Sequence, residues 1–356
     1  MNTEIIDLFC GAGGLTHGLE QAGLNVILGI DNEETCRFAY EANNSSIFLN
    51  SDITEISASE VGCYFSDKAI RILVGCAPCQ PFSNYSNRYR KDGRKDNKWS
   101  LLSYFERLVT QIQPEIVSLE NVPSLRNEEI FKNFIKSLAN MGYHTTWKIV
   151  NCLDYGIPQT RSRLVLLASK LGAIKLLPPT HTPENYCTVK TAIGHLPPLK
   201  DGEVDKIDPL HQSCKLSPIN KKRICQSLPG GTWRDWDEAL QLKCHKKSTG
   251  KTFPSVYGRM EWDKPSPTIT TQFFGYGNGR FGHPEQNRAL SLREGAIIQS
   301  FPDDYKFIDP NHPLSKRQVA TQIGNAVPVI LGEVIGKSIL QHLNRGNDDG
   351  AFRREN

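Results

Sequence analysis

Apolar runs alternate with amphipathic segments over the first half of the chain. The runs predict buried strands, which we place at 4–9, 26–30, 48–53, 70–74, 116–119 and 164–168. The segments between them have a helical spacing of apolar residues, and they predict helices at 15–22, 34–41, 101–111 and 128–140. This alternation up to about residue 175 is typical of an α/β fold with a Rossmann-like, mostly parallel, doubly wound sheet.

The pattern changes near residues 176–180, where the chain becomes rich in proline. From there to about residue 305 we expect short strands and turns, for example in the glycine-rich stretch 274–282. Helical patterns return at 316–319 and 327–343, and the polar stretch 345–356 is predicted to be a disordered tail. The change therefore marks a domain boundary.

Glycines and carboxylates follow the first three predicted strands. The loop Cys10-Gly11-Ala12-Gly13-Gly14 stands between a strand and a helix, as in sites for nucleotide-like ligands, although it is not the complete G-x-G-x-x-G fingerprint. Asp31 ends the second strand, where a carboxylate suits the two hydroxyls of a ribose. Asp52 and Ile53 end the third strand and could accept from an adenine amino group and pack on its ring. Together these strand ends predict a site for one adenosine.

A cysteine lies between two prolines in residues 75–83, Gly-Cys-Ala-Pro-Cys-Gln-Pro-Phe-Ser. A strand that stops at the turn Pro78-Cys79-Gln80 would hold the sulfur at a sheet edge, where a nucleophile can meet a substrate. Because Cys76 and Cys79 also have Cys-x-x-Cys spacing, a redox pair or half of a metal site remains an alternative.

Two later segments carry charged residues next to predicted strands. Glu120 interrupts the apolar strand that begins at residue 116, and a carboxylate there is costly unless it is paired or used. Arg161 and Arg163 precede the strand 164–168 and are two residues apart. In an extended chain they would point the same way, toward an anion or a polar base edge.

Length and composition exclude several classes of protein. With 356 residues we expect two domains, or one large domain with an insertion. We see no run of about eighteen apolar residues and no signal-like N-terminus, so we expect a cytoplasmic enzyme without a membrane partner. The ten cysteines are scattered, as is usual for reduced intracellular thiols.

The net charge of +4 is concentrated in one segment. Residues 88–98 hold six basic residues against two acidic ones, without apolar periodicity. This composition predicts either a loop that lies on a phosphate backbone or an ordinary solvated loop. A second stretch, 215–251, has nine Lys and Arg residues against three acids. Both surpluses favour a polyanionic partner.

Five motifs in this order resemble those of the DNA (cytosine-5)-methyltransferases of bacterial and phage restriction-modification type. They are Phe9-x-Gly11-x-Gly13, Pro78-Cys79-Gln80, Glu120-Asn121-Val122, Gln159-x-Arg161-x-Arg163 and Gly324-Asn325-Ala326-Val327. The resemblance covers nearly the whole chain. It implies an S-adenosylmethionine-dependent methyltransferase fold with a catalytic domain of residues 1–178 plus 312–344 and an inserted target-recognition domain, 179–311, whose part 181–256 is variable.

The resemblance also implies roles for single residues. Cys79 would add to carbon 6 of a cytosine flipped out of double-stranded DNA, Glu120 would stabilise the ring edge at nitrogen 3, and Arg163, with Arg161, would hold an oxygen of the nucleotide. The implied S-adenosylmethionine set is Phe9, Gly11, Gly13, Leu15, Asp31, Asn32, Asp52, Ile53, Pro78, Leu101, Asn325 and Val327. The implied DNA contacts are Gln80, Ser83, Arg88, Arg90, Arg94 and Lys98.

The resemblance implies a monomeric DNA-modifying enzyme whose cognate restriction endonuclease acts separately. Two alternatives to this function remain. One relative with these motifs modifies transfer RNA, but its Cys-Phe-Thr signature is absent from this sequence. The other alternative is a non-catalytic DNA-binding relative. The intact Pro78-Cys79-Gln80 and Glu120-Asn121-Val122 argue against it, because such a protein has no chemical need of both.

Overall fold

A computed structural model describes residues 2–78, 101–248, 250–252 and 254–348. Contacts divide the chain into a first unit, Met1–Asn151 with Ser162–Thr180 and Val327–Asn356, and a second unit, Cys152–Arg161 with His181–Ala326. This division assigns 152–161 and 312–326 to the second unit, whereas the sequence placed them in the catalytic domain. The catalytic and recognition roles of the two domains stay predictions.

Strands are numbered in chain order. They are β1 (Thr3–Leu8), β2 (Val26–Asp31), β3 (Ile47–Asn50), β4 (Ile70–Gly75), β5 (Ile116–Asn121), β6 (His144–Asn151), β7 (Gln159–Thr160), β8 (Ser162–Ser169) and β9 (Ser266–Pro267). The first unit holds a seven-stranded sheet in the order β3-β2-β1-β4-β5-β8-β6. The pairs from β3 to β5 are parallel, and β8 is antiparallel to both of its neighbours. The predicted mostly parallel α/β sheet is confirmed.

Helices lie between most of these strands. They are α1 (Gly14–Gln21), α2 (Arg37–Glu41), α3 (Ala58–Gly62), α4 (Leu101–Ile112), α5 (Glu129–Asn140), α6 (Val189–Ile193), α7 (Pro218–Gln226), α8 (Leu292–Ile298), α9 (Lys316–Asn325) and α10 (Val329–Asp348). Shorter 3-10 turns occupy Glu34–Cys36, Pro123–Asn127, Cys152–Tyr155, Trp233–Asp235, Glu238–Leu240, Gly250–Thr252 and Tyr276–Asn278.

The two faces of the sheet are covered by different helices. Ile6 and Leu8 of β1 are fully buried in a cluster that includes Phe105 of α4 and Phe134 of α5. The residue between them, Asp7, points to the opposite face because side chains alternate along a strand, and there it contacts α1. Helix α1 in turn packs closely on α10: a Cβ atom added at Gly18 would collide with the backbone of Val329. Because β1 is parallel to both β2 and β4, the carboxyl ends of these three strands lie at one edge of the sheet.

The second unit has fewer strands than we expected. Its described residues contain the short parallel pair β7–β9 and isolated bridges, and residues 276–278 form a 3-10 turn. Buried side chains instead form many of the hydrogen bonds that the irregular backbone needs. The Arg259 guanidinium donates to the carbonyl oxygens of Ile224, Ser227, His283 and Gln286 at 2.7–2.9 Å. A long side chain with five donors thus replaces part of a sheet ladder.

The C-terminal helix is longer than predicted. Residues 345–348, which we expected in a disordered tail, form the end of α10, and 349–356 lie outside the described residues. Across the described part of the chain, one helical stretch, Lys316–Arg345, is long and apolar enough to cross a membrane. Since 61% of its most apolar window is buried inside the protein, and core helices pass the same test, this is weak evidence for a span.

Candidate active site

The loop after β1 adopts the tight turn that its glycines allow. Phe9, Gly11 and Gly13 all have left-handed backbone conformations, with φ of 61°, 51° and 88°. No atom lies within 4 Å of the position that a Cβ of Gly11 would occupy, so the loop faces open space there. Gly13 precedes α1, and its N–H donates to the Cys10 carbonyl at 2.9 Å. The first amides of α1 are therefore held at the strand edge.

Asp31, at the end of β2, fastens this loop. Its Oδ2 accepts from the Gly11 N–H at 2.8 Å, and its Oδ1 accepts from the Glu33 N–H at 2.9 Å. Burial raises the pKa of Asp31, and the two backbone donors oppose that effect. Because each carboxylate oxygen can accept more than one hydrogen bond, Asp31 orders the loop and still has acceptor capacity for a ligand.

Asp52 and Ile53 follow β3 and are held from two sides. The Thr54 N–H donates to Asp52 at 2.8 Å and is the main cause of the lowered pKa of this carboxyl group, to which the Asn32 side chain also donates. Arg107 of α4 donates to the Ile53 and Ile56 carbonyls at 2.9 and 2.7 Å. Nothing in the sequence indicated Arg107, because only the packing of α4 brings it to this loop.

The other predicted cofactor residues are spread more widely. Leu15 is buried on α1, Leu101 begins α4 and is half-buried, and Pro78 is exposed after β4. Val327 is buried in the first unit, whereas the exposed Asn325 ends α9 in the second unit. The structure thus gathers the residues of the first three strand ends at one edge, and the contribution of Asn325 to the cofactor site stays a prediction.

Glu120 lies where two neighbouring parallel strands end. Gly75 of β4 is in register with Leu119 of β5, so the next residues, Cys76 and Glu120, are adjacent. The Cys76 thiol donates to Glu120 Oε2 at 2.7 Å, and the Glu120 side chain is only 2% exposed. Among the described residues no group of three or more His, Cys, Asp or Glu could hold a metal ion. Cys76 therefore contacts a carboxylate, and its pairing with Cys79 is untested.

Arg163 reaches the same carboxylate from an antiparallel strand. Because β8 runs against β5, the beginning of β8 meets the end of β5. Arg163 Nε lies 2.9 Å from Glu120 Oε1, with the Arg163 side chain 14% exposed. The contact is an ion pair rather than an aligned hydrogen bond, since Oε1 has no hydrogen-bond partner among the described residues. Glu120 is thus held between a thiol and a guanidinium.

Arg161 has different partners from Arg163. It is 3% exposed and donates to the carbonyls of Ile269 at 2.9 Å and of Gly324 and Ala326 at 3.4 Å, all within the second unit. The expectation that both arginines point toward one anion is therefore not met in this structure, because Arg161 is occupied by backbone carbonyls. These contacts favour a structural role for Arg161, and its predicted catalytic role is untested.

The segment that leads to Cys79 is tied to the end of β5. Asn121 Nδ2 donates to the Ala77 carbonyl at 2.9 Å, and Asn121 Oδ1 accepts from the Val122 N–H at 2.9 Å. The chain two residues before Cys79 is thereby fixed beside Glu120. The remaining predicted residues lie outside the described residues; they are Cys79, Gln80, Ser83, Arg88, Arg90, Arg94 and Lys98.

A buried polar network beneath the glycine loop was not predicted. Asp7 is 1% exposed, its Oδ2 accepts from the Thr16 hydroxyl at 2.7 Å, and its Oδ1 has no hydrogen-bond partner among the described residues. The Thr16 hydroxyl also contacts the buried Tyr40 hydroxyl at 3.3 Å. Burial raises the pKa of Asp7 to about 7. The signal was available in the sequence, since Asp7 interrupts an apolar strand as Glu120 does.

The sheet order, the glycine turn with its acidic strand ends and the buried Glu120 carboxylate define a Rossmann-like α/β protein with a ligand site at the strand ends. Residues 3–341 match the sequence profile of the C-5 cytosine-specific DNA methylases. The chain belongs to this family, and it is a DNA (cytosine-5)-methyltransferase.

Individual relatives agree with this assignment. The chain is 54% identical over 342 residues to the Type II methylase M.HgiDII of Herpetosiphon aurantiacus, covering 95% of both chains. It is 32% identical to the Type II methyltransferase M1.HphI of Haemophilus parahaemolyticus, covering 96% of this chain and 87% of the relative. A crystal structure described as a DNA modification methyltransferase encoded within a prophage (E. coli) has the same fold, with a TM-score of 0.73, 22% identity, and coverage of 96% and 100%.

Proposed function

We propose that this protein transfers a methyl group from S-adenosylmethionine to carbon 5 of a flipped cytosine in a specific double-stranded DNA sequence. The transfer proceeds through a covalent adduct of Cys79. The observation that carries the proposal is the buried Glu120 carboxylate, held by Arg163 and lying beside the strand that leads to Cys79. Proteins of this fold class bind their ligands at the carboxyl ends of the parallel strands, and a buried charged group at that position is typical of a functional site.

The residues at the first three strand ends fit S-adenosylmethionine. Gly11 faces open space, Asp31 keeps acceptor capacity for ribose hydroxyls, and Asp52 is a carboxylate with a lowered pKa that can accept from an adenine amine. The remaining members of the proposed set are Phe9, Gly13, Leu15, Asn32, Ile53, Pro78, Leu101, Asn325 and Val327. When bound, this group supplies an electrophilic methyl group.

The protein's own groups have to activate the base. Carbon 5 of cytosine is a weak nucleophile because its electrons belong to the aromatic ring. When the Cys79 thiolate forms a bond to carbon 6, the aromaticity is lost and carbon 5 becomes enamine-like. Electron density then moves to nitrogen 3 and the exocyclic amine. The Glu120 carboxylate passes a proton taken up from solvent to nitrogen 3, and Arg163 stabilises the developing charge. After carbon 5 has received the methyl group, a solvent base takes its proton, the bond between carbon 6 and the Cys79 sulfur breaks to release the thiolate, and nitrogen 3 gives up its proton, which restores the aromatic ring.

This chemistry requires a flipped nucleotide, since stacked neighbours cover carbons 5 and 6 inside a duplex; flipping costs a few kcal/mol. The basic segment that contains Arg88, Arg90 and Arg94 would lie on the phosphate backbone and close over the base, with Gln80, Ser83 and Lys98 as further contacts. Phosphate contacts of this kind position a protein without selecting a sequence.

Sequence selection belongs, in this proposal, to the variable region 181–256. Exchanging it for the corresponding region of a family member that methylates a different site is expected to transfer the specificity of that enzyme while preserving the reaction. Bisulfite sequencing of host DNA measures both properties. A hybrid that keeps the original site would place specificity elsewhere.

The covalent mechanism is tested with duplex DNA that carries 5-fluorocytosine at the target. Fluorine cannot leave as a proton does, so the enzyme should be trapped in an adduct that depends on the methyl donor and survives denaturation. Peptide mapping should place the base on Cys79. The Cys79→Ser variant should bind the methyl donor normally but form no adduct. An adduct on another cysteine, or turnover without an adduct, would refute the assignment of Cys79.

We also propose that the enzyme is a cytoplasmic monomer that works in a restriction-modification system, separately from its endonuclease. The names of the relatives, a Type II methylase and a Type II methyltransferase, support the restriction-modification part of this proposal. Transfer of labelled methyl groups to duplex DNA but not to transfer RNA would exclude the RNA-modifying alternative. Sedimentation with and without DNA tests the monomer.

A further inference from the structure

We propose that Cys76 is a positioning residue for Glu120. Its thiol donates to Glu120 Oε2 at 2.7 Å, while Arg163 Nε faces Oε1 at 2.9 Å. The inference rests on the proposed function, in which Glu120 meets the edge of the cytosine ring. Cys76 itself need not touch the base.

Hydrogen bonds to the backbone of Cys76 and Ala77 hold this segment in place from both neighbouring strands. The Cys76 N–H donates to the Leu8 carbonyl of β1 at 3.3 Å. The carbonyl of the following residue, Ala77, accepts from the Asn121 side chain of β5 at 2.9 Å. Cys76 is therefore bracketed by the strands on either side of β4. Because the Cys76 backbone is fixed, its side chain can orient the neighbouring Glu120 carboxyl group.

The Glu120 carboxyl group needs such a contact. Its last torsion is a broad, two-fold rotation that an ion pair to one oxygen does not fix. Because Glu120 is 2% exposed, bulk water cannot orient the second oxygen. The thiol supplies the missing contact, so that the plane of the carboxyl group is set by two different partners.

A thiol suits this position chemically. It is uncharged and a weak donor, so it orients the carboxyl group without adding a second cation to the one that Arg163 provides. A lysine would add charge, and an aliphatic residue would leave Oε2 without a donor. Serine keeps a donor on a shorter bond, which makes it the conservative replacement.

The first experiment compares Cys76→Ala with Cys76→Ser. Cys76→Ala should lower kcat about 3- to 10-fold, the effect of one lost hydrogen bond, with little change in KM for DNA or methyl donor. Cys76→Ser should recover most of that loss. Cys63→Ala is the matched control, since Cys63 also donates its thiol, to the Glu60 carbonyl at 3.0 Å, but is itself exposed, directly after α3 in the same unit. It should keep wild-type kcat.

A double-mutant cycle with Glu120→Ala separates positioning from general packing. Without the carboxyl group, Cys76→Ala should have no further effect on the single-turnover rate, because in this proposal Cys76 acts through Glu120. Additive losses, or an unchanged kcat in Cys76→Ala when Glu120→Ala is impaired, would overturn the proposal. If Glu120→Ala itself keeps wild-type kcat, the proposed role of Glu120 fails instead.

Alkylation gives a readout that does not depend on activity. A carboxylate beside a thiol disfavours the thiolate, so Glu120→Gln should make Cys76 react with iodoacetamide faster than in wild type, by about threefold or more near pH 8. Peptide mapping assigns the reaction to Cys76, and Cys63 serves as the internal control. Equal rates at Cys76 in both proteins would show that the contact does not exist in solution.

Discussion

Replacing Asp7 by Asn should change the pH dependence of stability in a defined direction. In the folded protein burial raises the pKa of Asp7 from its ordinary 3.8 to about 7. The folded state then binds a proton more tightly than the unfolded state between about pH 4 and about pH 7. The stability associated with this proton is fully present at low pH and is lost as the pH rises through that window.

The magnitude follows from the separation of the two values. They are about three pH units apart, and each unit corresponds to about 1.4 kcal/mol, so the full effect has an upper limit of about 4 kcal/mol. Asparagine has nearly the same shape and does not titrate. The free energy of unfolding of Asp7→Asn minus that of wild type should therefore increase with pH up to about pH 7 and then level off.

Urea unfolding of both proteins at several values from about pH 5 to about pH 8 measures this difference. Asp52→Asn is the control, because the Thr54 N–H lowers the pKa of Asp52 below its ordinary value. Its stability contribution is lost only as the pH falls through that lowered value, so its difference from wild type should stay constant over the same range. A constant difference for Asp7→Asn as well would refute the reasoning.

Three further predictions concern charged side chains. Arg163→Met should destabilise the protein by about 3–5 kcal/mol in urea unfolding and abolish most methyl transfer, because it leaves Glu120 buried without its cation. Arg163→Lys should destabilise it less, and equal stability of wild type and both variants would contradict the ion pair. Arg107→Gln should weaken methyl-donor binding about 10-fold, because the Ile53 and Ile56 carbonyls lose a charged donor; calorimetry measures this affinity. Arg71→Gln is the control, since Arg71 pairs with Glu115 instead, and it should leave the affinity unchanged. Neutralising Arg88, Arg90 and Arg94 should flatten the slope of log affinity for DNA against log salt by about 0.9 per lost phosphate contact, and an unchanged slope would mean that the segment stays in solvent.

Local patterns predicted six of the seven strands of the sheet, β1 to β5 and β8, although the third was expected to end at Ile53 and β3 ends at Asn50. The strand, glycine turn and helix around Gly11 depend on nearest neighbours in sequence, and Asp31 follows a strand that is apolar almost throughout. Strand β6 was missed because most of its side chains are at least partly exposed and its apolar pattern is weak. Helix α7 was missed for a related reason, as only Arg223 and Ile224 are buried along it.

The candidate site was predictable in its residue types but not in its contacts. Glu120 could be found because a carboxylate in an apolar strand needs a partner. That Arg163 is this partner depends on the antiparallel direction of β8, and that Arg161 is occupied elsewhere depends on carbonyls more than 100 residues away in sequence. The Cys76 contact requires the register of Gly75 with Leu119, which no local pattern specifies.

The packing of α1 against α10 has a consequence for biosynthesis. Helix α1 is synthesised well before the backbone that covers Gly18, which comes from Val329 to Glu333. During translation the surface of α1 that α10 covers stays exposed until the whole second unit, which ends at Ala326, has been made. We therefore expect this surface of the first unit to be a place where chaperones bind the nascent chain.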